Sequence, residues 1–226
     1  MKPHDSARRR LFRAVGATGL AAALPLPATA QHKQAYAFFT AGEAAFIEAA
    51  VARLIPKDEL GPGALEAGVP TYIDRQLAGA WGAGERLYRS GPWRDGTPSQ
   101  GYQLPFTPAE LFRKALRGVD PGFAKMPPPQ QDQYLRALEK ERRNLDGVPS
   151  GAFFEALLDA TVEGFFSDPI HGGNRDMAGW KLIGFPGAYA NYYELVNRHN
   201  LKFTAPPVGI DSGIDSGIHP HPAGKK

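Results

Sequence analysis

The side chains best suited to chemistry lie in one short run of the sequence, between residues 168 and 176. The run holds two carboxylates, a histidine, an amide and a guanidinium group, at Asp168, His171, Asn174, Arg175 and Asp176. Its spacing does not match a calcium loop, which needs acidic ligands at alternate positions and a glutamate at the twelfth. An acid–base pair of Asp168 and His171 would need a nucleophile and oxyanion donors that no motif of the sequence supplies. We therefore predict a loop shaped by glycines and Asx turns, with Arg175 paired to one of its carboxylates.

Aromatic residues in irregular segments indicate a second kind of site, a surface that binds another protein. Trp180 and Phe185 follow the polar run, and Trp93 and Tyr102 lie in a stretch rich in glycine and proline between residues 90 and 105. The buried centres of protein interfaces favour aromatic and arginine side chains. We therefore treat these four aromatics, together with the five polar residues of the loop, as candidates for docking.

The first 30 residues are predicted to be an export signal. A basic start, a mildly apolar stretch and a small-x-small end are typical of secretory signals, and the apolar stretch is too short to span a bilayer. Paired arginines, one spacer residue and a phenylalanine resemble the twin-arginine signal, which the twin-arginine translocase reads on folded cargo. The residues that carry the signal and its cleavage site are Arg9, Arg10, Phe12, Ala28 and Ala30.

Composition excludes several classes of function. With 0 cysteines the chain has no disulfide, thiolate nucleophile, Fe–S cluster or covalently attached c-type haem. Dinucleotide, P-loop, zinc-protease and serine-hydrolase motifs are missing as well. Residues 31–226 hold 21 basic and 22 acidic side chains, so their nearly neutral charge does not favour nucleic acid as a partner. We expect no catalytic residue, cofactor or metal on this chain, and any electron carrier must then belong to another chain.

Past the leader, the sequence predicts an all-α class, a single irregular helical domain over residues 31–203 with long loops rich in glycine and proline. Capping boxes that begin at Thr40 and Thr107 predict two helix starts. The strongly apolar stretch after residue 150 predicts the central core helix. No run of residues alternates as a strand would.

Three further stretches complete the predicted organisation. The charged run of residues 139–143 is expected to be the solvated face of a helix, and residues 189–199 a last helix. Residues 204–226, in which Gly-Ile-Asp-Ser repeats, are predicted to be a flexible tail of low complexity.

The run from Asp168 to Gly187, which we call the signature segment, resembles the small subunit of membrane-bound gluconate 2-dehydrogenase. Residues 39–56 and 64–70 resemble the same family, and with the leader the resemblance covers about residues 8–200. It implies an enzyme of three chains: a large flavoprotein with FAD, a multi-haem cytochrome c, and the small subunit. The small subunit would bind the flavoprotein and supply the export signal for both, so that the complex faces the periplasm at the cytoplasmic membrane.

Other interpretations of the sequence stay open. A free-standing periplasmic enzyme could use the cluster of Asp168, His171 and Asp176, and a periplasmic binding module without any redox association would also fit. The family resemblance includes small subunits of related sugar and polyol dehydrogenases, so it favours gluconate as the substrate of the complex without fixing it.

Overall fold

A computed structural model describes residues 35–94, 97, 103–141, 143–188, 197–200 and 204–211. The chain divides into two compact units, Met1–Ala35 and Tyr36–Lys226, and the description below concerns the second. The predicted leader, Tyr102, most of the predicted last helix and the later repeats of the tail lie outside the described residues.

Helices dominate the described residues, which confirms the mostly-α class. The bounds are α1 Ala41–Leu54, α2 Val69–Ala78, α3 Pro108–Gly118, α4 Pro128–Lys140, α5 Ser150–Phe166 and α6 Ala178–Ile183. Short 3-10 turns occupy Phe123–Lys125, Pro169–His171 and Arg175–Met177. Two-residue strands, β1 Asn144–Leu145 and β2 Val148–Pro149, pair in an antiparallel hairpin. Within these residues, no helix combines the length and apolar character needed to cross a membrane.

Both predicted capping boxes are present. The backbone N–H of Thr40 donates to the Glu43 carboxylate at 2.8 Å, and the Thr40 hydroxyl accepts from the Glu43 N–H at 3.4 Å. Thr107 and Glu110 repeat the arrangement at 2.8 and 3.2 Å. Each pair satisfies amides of a first helical turn that have no partner within the helix. The starts of α1 and α3 are therefore fixed by local sequence.

The predicted helical face over residues 139–143 is wrong at its end, because α4 stops at Lys140. A tight turn at Asp146 and Gly147, both with positive φ, closes the β1–β2 hairpin immediately afterwards. An Asp-Gly pair favours this kind of turn, and the Arg117 guanidinium holds the Asp146 carboxylate at 2.6 Å. The hairpin also contradicts the expectation that no strand forms.

Helix α5 lies at the centre of the core, as predicted. It contacts every other α-helix of the described residues. Phe153 and Leu157 are fully buried, and the Phe153 ring packs edge-on against Phe112 at a centroid distance of 5.5 Å. Burial of large apolar side chains of this kind supplies most of the free energy of folding. The end of α5 at Phe166 is where the signature segment begins.

Candidate docking surface

The signature segment starts at Asp168, whose two carboxylate oxygens each accept a backbone N–H. One oxygen accepts the Ile170 N–H at 3.0 Å and caps the 3-10 turn Pro169–His171. The other accepts the Ile210 N–H at 2.8 Å. Asp168 therefore links residues that are 42 positions apart in sequence and shapes the signature segment.

Asn174 is the only fully buried polar residue that the structure describes in the signature segment. Its amide nitrogen donates to the Ser167 carbonyl at 2.8 Å, and its amide oxygen accepts the Gly179 N–H at 2.8 Å. An amide side chain offers a donor and an acceptor on two separate atoms, and asparagine tolerates the left-handed conformation found here, with φ of 45°. Asn174 therefore ties the end of α5 to the start of α6.

The backbone around Asn174 is strained. Asp176 and Met177 also adopt positive φ, at 56° and 55°. Three of the four residues 174–177 are therefore left-handed, although none of them is a glycine. Each such residue costs on the order of 1 kcal/mol or more and persists only where surrounding contacts fix it. The hydrogen bonds of Asn174 hold the segment in this conformation, and strain of this kind is typical of functional segments.

Two glycines let the signature segment lie directly on α5. A Cβ at Gly173 would collide with the Gly164 carbonyl oxygen, and one at Gly179 would collide with the Phe165 carbonyl oxygen. Close approach of two backbones needs residues without a side chain. The glycines therefore set the distance between this segment and the core helix.

Trp180 points into the protein. Its indole N–H donates to the Phe166 carbonyl at 2.7 Å, and its side chain is buried. The Phe185 ring packs edge-on against it at a centroid distance of 5.2 Å. Of these two predicted docking residues, Phe185 presents a large exposed area to solvent, whereas Trp180 supports it from beneath.

Residues 204–211, which the sequence assigned to the tail, meet the signature segment. Gly187 and Val208 form a parallel β-bridge, and the Ala188 N–H donates to the Val208 carbonyl at 2.7 Å. Ile210 is attached to Asp168 as described above. The described part of the predicted tail therefore contributes to this surface.

Five large apolar side chains on this end of the molecule expose between 45% and 61% of their surface. We call them the signature surface: Ile170, Leu182, Ile183, Phe185 and Ile210. Ile170 and Ile210 both donate their backbone N–H to Asp168, so they lie close together. Exposed charges at Lys181 and Asp211 adjoin the apolar residues. An apolar centre with a charged rim is the composition of protein–protein interfaces.

The remaining predicted residues lie at the edges of this region. His171, Arg175 and Asp176 are exposed. The prediction that Arg175 pairs with a carboxylate of the loop is wrong, because its guanidinium lies against the turn before α2 and donates to the Glu66 carbonyl at 3.5 Å. No three histidine, aspartate or glutamate side chains in the described ranges come close enough to hold a metal ion.

Trp93 is also exposed, but it belongs to a different stretch of chain, after α2, where Trp81 and Tyr88 are exposed as well. Sequence reasoning missed four of the five residues of the signature surface, all except Phe185. A helix as short as α6 can bury only one side, and that was the one signal that could have pointed to Leu182 and Ile183.

Comparison with known proteins identifies the family. No curated protein and no solved structure matches the chain. A family model for gluconate 2-dehydrogenase subunit 3 matches residues 41–187, nearly two thirds of the chain. The matched range begins at the first residue of α1 and ends with the signature segment. The chain therefore belongs to the gluconate 2-dehydrogenase subunit 3 family and is an accessory subunit of a dehydrogenase complex.

Proposed function

We propose that the chain is the non-catalytic small subunit of an FAD-dependent sugar-acid dehydrogenase of the gluconate 2-dehydrogenase type. It binds the flavoprotein subunit and supplies the twin-arginine signal that exports both. FAD and c-type haem belong to the partner chains, the flavoprotein and a multi-haem cytochrome c. The family match over residues 41–187 is the observation that carries this proposal.

The use of the polar side chains supports a non-catalytic role. Each carboxylate oxygen of Asp168 accepts a backbone N–H, and the Asn174 amide donates to one backbone carbonyl and accepts one backbone N–H. Side-chain bonds of this kind to nearby backbone are typical of residues that shape a loop. These side chains fix the shape of the loop, which is what a docking surface requires.

The signature surface supports binding to the flavoprotein. Grouped exposed apolar side chains mark interaction sites more often than scattered ones, and here Asp168 brings Ile170 and Ile210 together while Leu182, Ile183 and Phe185 lie within four consecutive residues. Here the apolar residues stand on a backbone fixed by hydrogen bonds to Asn174 and Asp168. A preordered surface loses little conformational entropy on binding, which favours a stable complex.

The leader supports export of a folded complex. Arg9, Arg10 and Phe12 fit the twin-arginine pattern. A subunit without its own cofactor gains little from folded export, whereas a flavoprotein that acquires FAD in the cytoplasm depends on it. We propose that the complex works on the periplasmic side of the cytoplasmic membrane.

Co-expression with the flavoprotein tests the proposal. Changing Arg9 and Arg10 together to lysine is expected to leave both chains in the cytoplasm, as measured by fractionation and flavin content of the periplasm. Arg13→Lys makes the same chemical change in the same leader, outside the pair, and is expected to leave export intact. Arrival of the flavoprotein in the periplasm with the double variant would refute the proposed role.

A further inference from the structure

The first residues of the folded unit are held by one buried carboxylate. Asp74, on α2, accepts three consecutive backbone N–H groups: those of Ala37 and Phe38 at 2.8 Å each and that of Phe39 at 3.0 Å. Asp74 is almost completely buried and lies at least 35 positions away in sequence. Hydrogen bonds from amides to a charged acceptor are about twice as strong as neutral ones.

Side chains from two other helices hold the same segment, residues 36–40, which we call the junction segment. The Arg113 guanidinium, on α3, donates to the Phe38 carbonyl at 2.7 Å and lies 4.0 Å from the centre of the Phe38 ring. The Tyr36 hydroxyl donates to Glu48 on α1 at 2.7 Å. Phe39 is buried in the core as a result. Three helices thus converge on a segment that has no regular structure of its own.

These contacts are not needed to start α1. The capping box of Thr40 and Glu43 already satisfies the first turn of that helix. What the additional contacts do is fix the place where the chain enters the folded unit, and they exist only when α1, α2 and α3 are packed together. The junction segment is therefore held in place only when the unit is folded, and the predicted leader is attached through this segment.

The length of the connection makes this position informative. Five residues, 31–35, separate the predicted cleavage site after Ala30 from the junction segment. Five extended residues span at most about 17 Å, whereas release of the junction segment would lengthen the connection to ten residues and about 34 Å. Release would also expose Phe38 and Phe39 next to the leader, as in an unfolded chain.

We infer that Asp74, assisted by Arg113, is a latch that couples the folding of this subunit to presentation of its export signal. When the latch is closed, residues 36–40 are held against three helices, and five residues of sequence connect them to the predicted cleavage site. When it is open, a translocase that accepts folded cargo meets two free aromatic side chains beside the signal. This inference rests on the proposed export role.

The substitution Asp74→Asn, in the full-length chain co-expressed with the flavoprotein, tests the latch. One side-chain oxygen would remain, but the new amide nitrogen would face the Ala37 N–H, donor against donor. Hydrogen exchange at residues 37–39 of the cytoplasmic precursor is expected to accelerate at least about tenfold, with exchange in α5 unchanged. Export of the precursor is expected to fall several-fold.

Asp132→Asn is the matched control. It makes the same chemical change at the ion pair with Arg53, at the opposite end of α1, and is expected to leave export unchanged. Normal export of Asp74→Asn despite fast exchange at residues 37–39 would overturn the latch, and so would unchanged exchange there. Should Asp74→Asn unfold the whole unit, Arg113→Lys decides, because it keeps the positive charge but weakens the contacts of the guanidinium with the Phe38 carbonyl, the Phe38 ring and the Glu43 carboxylate. Normal export of that variant with a loosened junction also overturns the inference.

The outcome separates the latch from the proposed function. If the double change at Arg9 and Arg10 blocks export while Asp74→Asn does not, the export role stands and the latch alone fails. If the arginine variant is exported normally, the export role fails irrespective of Asp74.

Discussion

The junction segment and the signature segment are held in the same way, but with opposite effects on their apolar side chains. In each, a buried polar side chain bonds to backbone groups of an irregular stretch: Asp74 in the first, Asn174 in the second. At the junction the result is that Phe39 is buried. At the signature segment the result is that Ile183 and Phe185 remain exposed. In both segments, fixing the backbone determines which apolar side chains are buried and which are exposed. The buried side chains lie where the predicted leader is attached, and the exposed ones lie where we propose that a partner binds.

Trp180→Ala is expected to have the largest effect on stability, because it removes the buried side chain that supports the signature segment. Loss of a buried tryptophan and of its bond to the Phe166 carbonyl should lower the free energy of unfolding by about 3–5 kcal/mol. Chemical denaturation of the purified chain measures this. Phe185→Ala is the control, because its ring is half exposed, and it should cost clearly less. Equal stability of wild type and Trp180→Ala would contradict the assignment of Trp180 as support.

Asn174→Ala should lower the free energy of unfolding by about 3 kcal/mol, since it leaves the Ser167 carbonyl and the Gly179 N–H buried without partners. Asn174→Gly removes the same hydrogen bonds but tolerates the positive φ, so it should be less damaging than alanine. Denaturation curves of the two variants separate the hydrogen bonds from the backbone strain. If both are as stable as wild type, Asn174 does not hold this segment.

Ile183→Asp should weaken the complex with the flavoprotein and leave the chain itself stable. A charge placed at the centre of an interface is expected to cost at least about 2 kcal/mol of binding, or roughly thirtyfold in Kd. Leu60→Asp is the matched control, because Leu60 is also a strongly exposed aliphatic residue, distant in sequence from the signature segment. Titration of flavoprotein with each variant gives the two affinities. Equal losses for both variants would mean that the signature surface has no special role.

Acid should loosen the junction segment before it loosens the segment around Asn174. Burial acts to raise the pKa of Glu43, but hydrogen bonds from the Arg113 side chain and from Thr40 outweigh it, and the pKa lies below its ordinary value of 4.5. The stabilisation is therefore complete above pH 4.5 and is lost as the pH falls through the folded pKa. The loss should stay below about 1 kcal/mol, since the pair is partly exposed. Hydrogen exchange at Thr40 and Gly179, corrected for intrinsic rates, measures it, and Glu43→Gln should remove the pH dependence.

Features that depend on residues close together in sequence could be predicted, whereas those that depend on distant residues could not. The capping boxes at Thr40 and Thr107 were predictable because each partner lies three residues away. The hairpin after α4 was missed although Asp146-Gly147 is a local turn signal, because the neighbouring charges suggested a continued helix.

Other features could not be obtained from local pattern. Trp180 points inward because a carbonyl at the end of α5 accepts its N–H, and Ile210 is held by a carboxylate 42 positions earlier. The role of Asp74 depends in the same way on a segment about 35 positions before it. The family resemblance identified the signature segment correctly, but it did not indicate which side chains face outward.

The most direct test of the account is a hydrogen-exchange comparison of this chain alone and bound to its flavoprotein. We predict that protection on binding is concentrated at residues 170, 182–185 and 210, while exchange at Thr40 and within α5 is unchanged. A complex that protects other surfaces and leaves these residues as they are in the free chain would contradict the central claim, that the signature surface is where the partner docks.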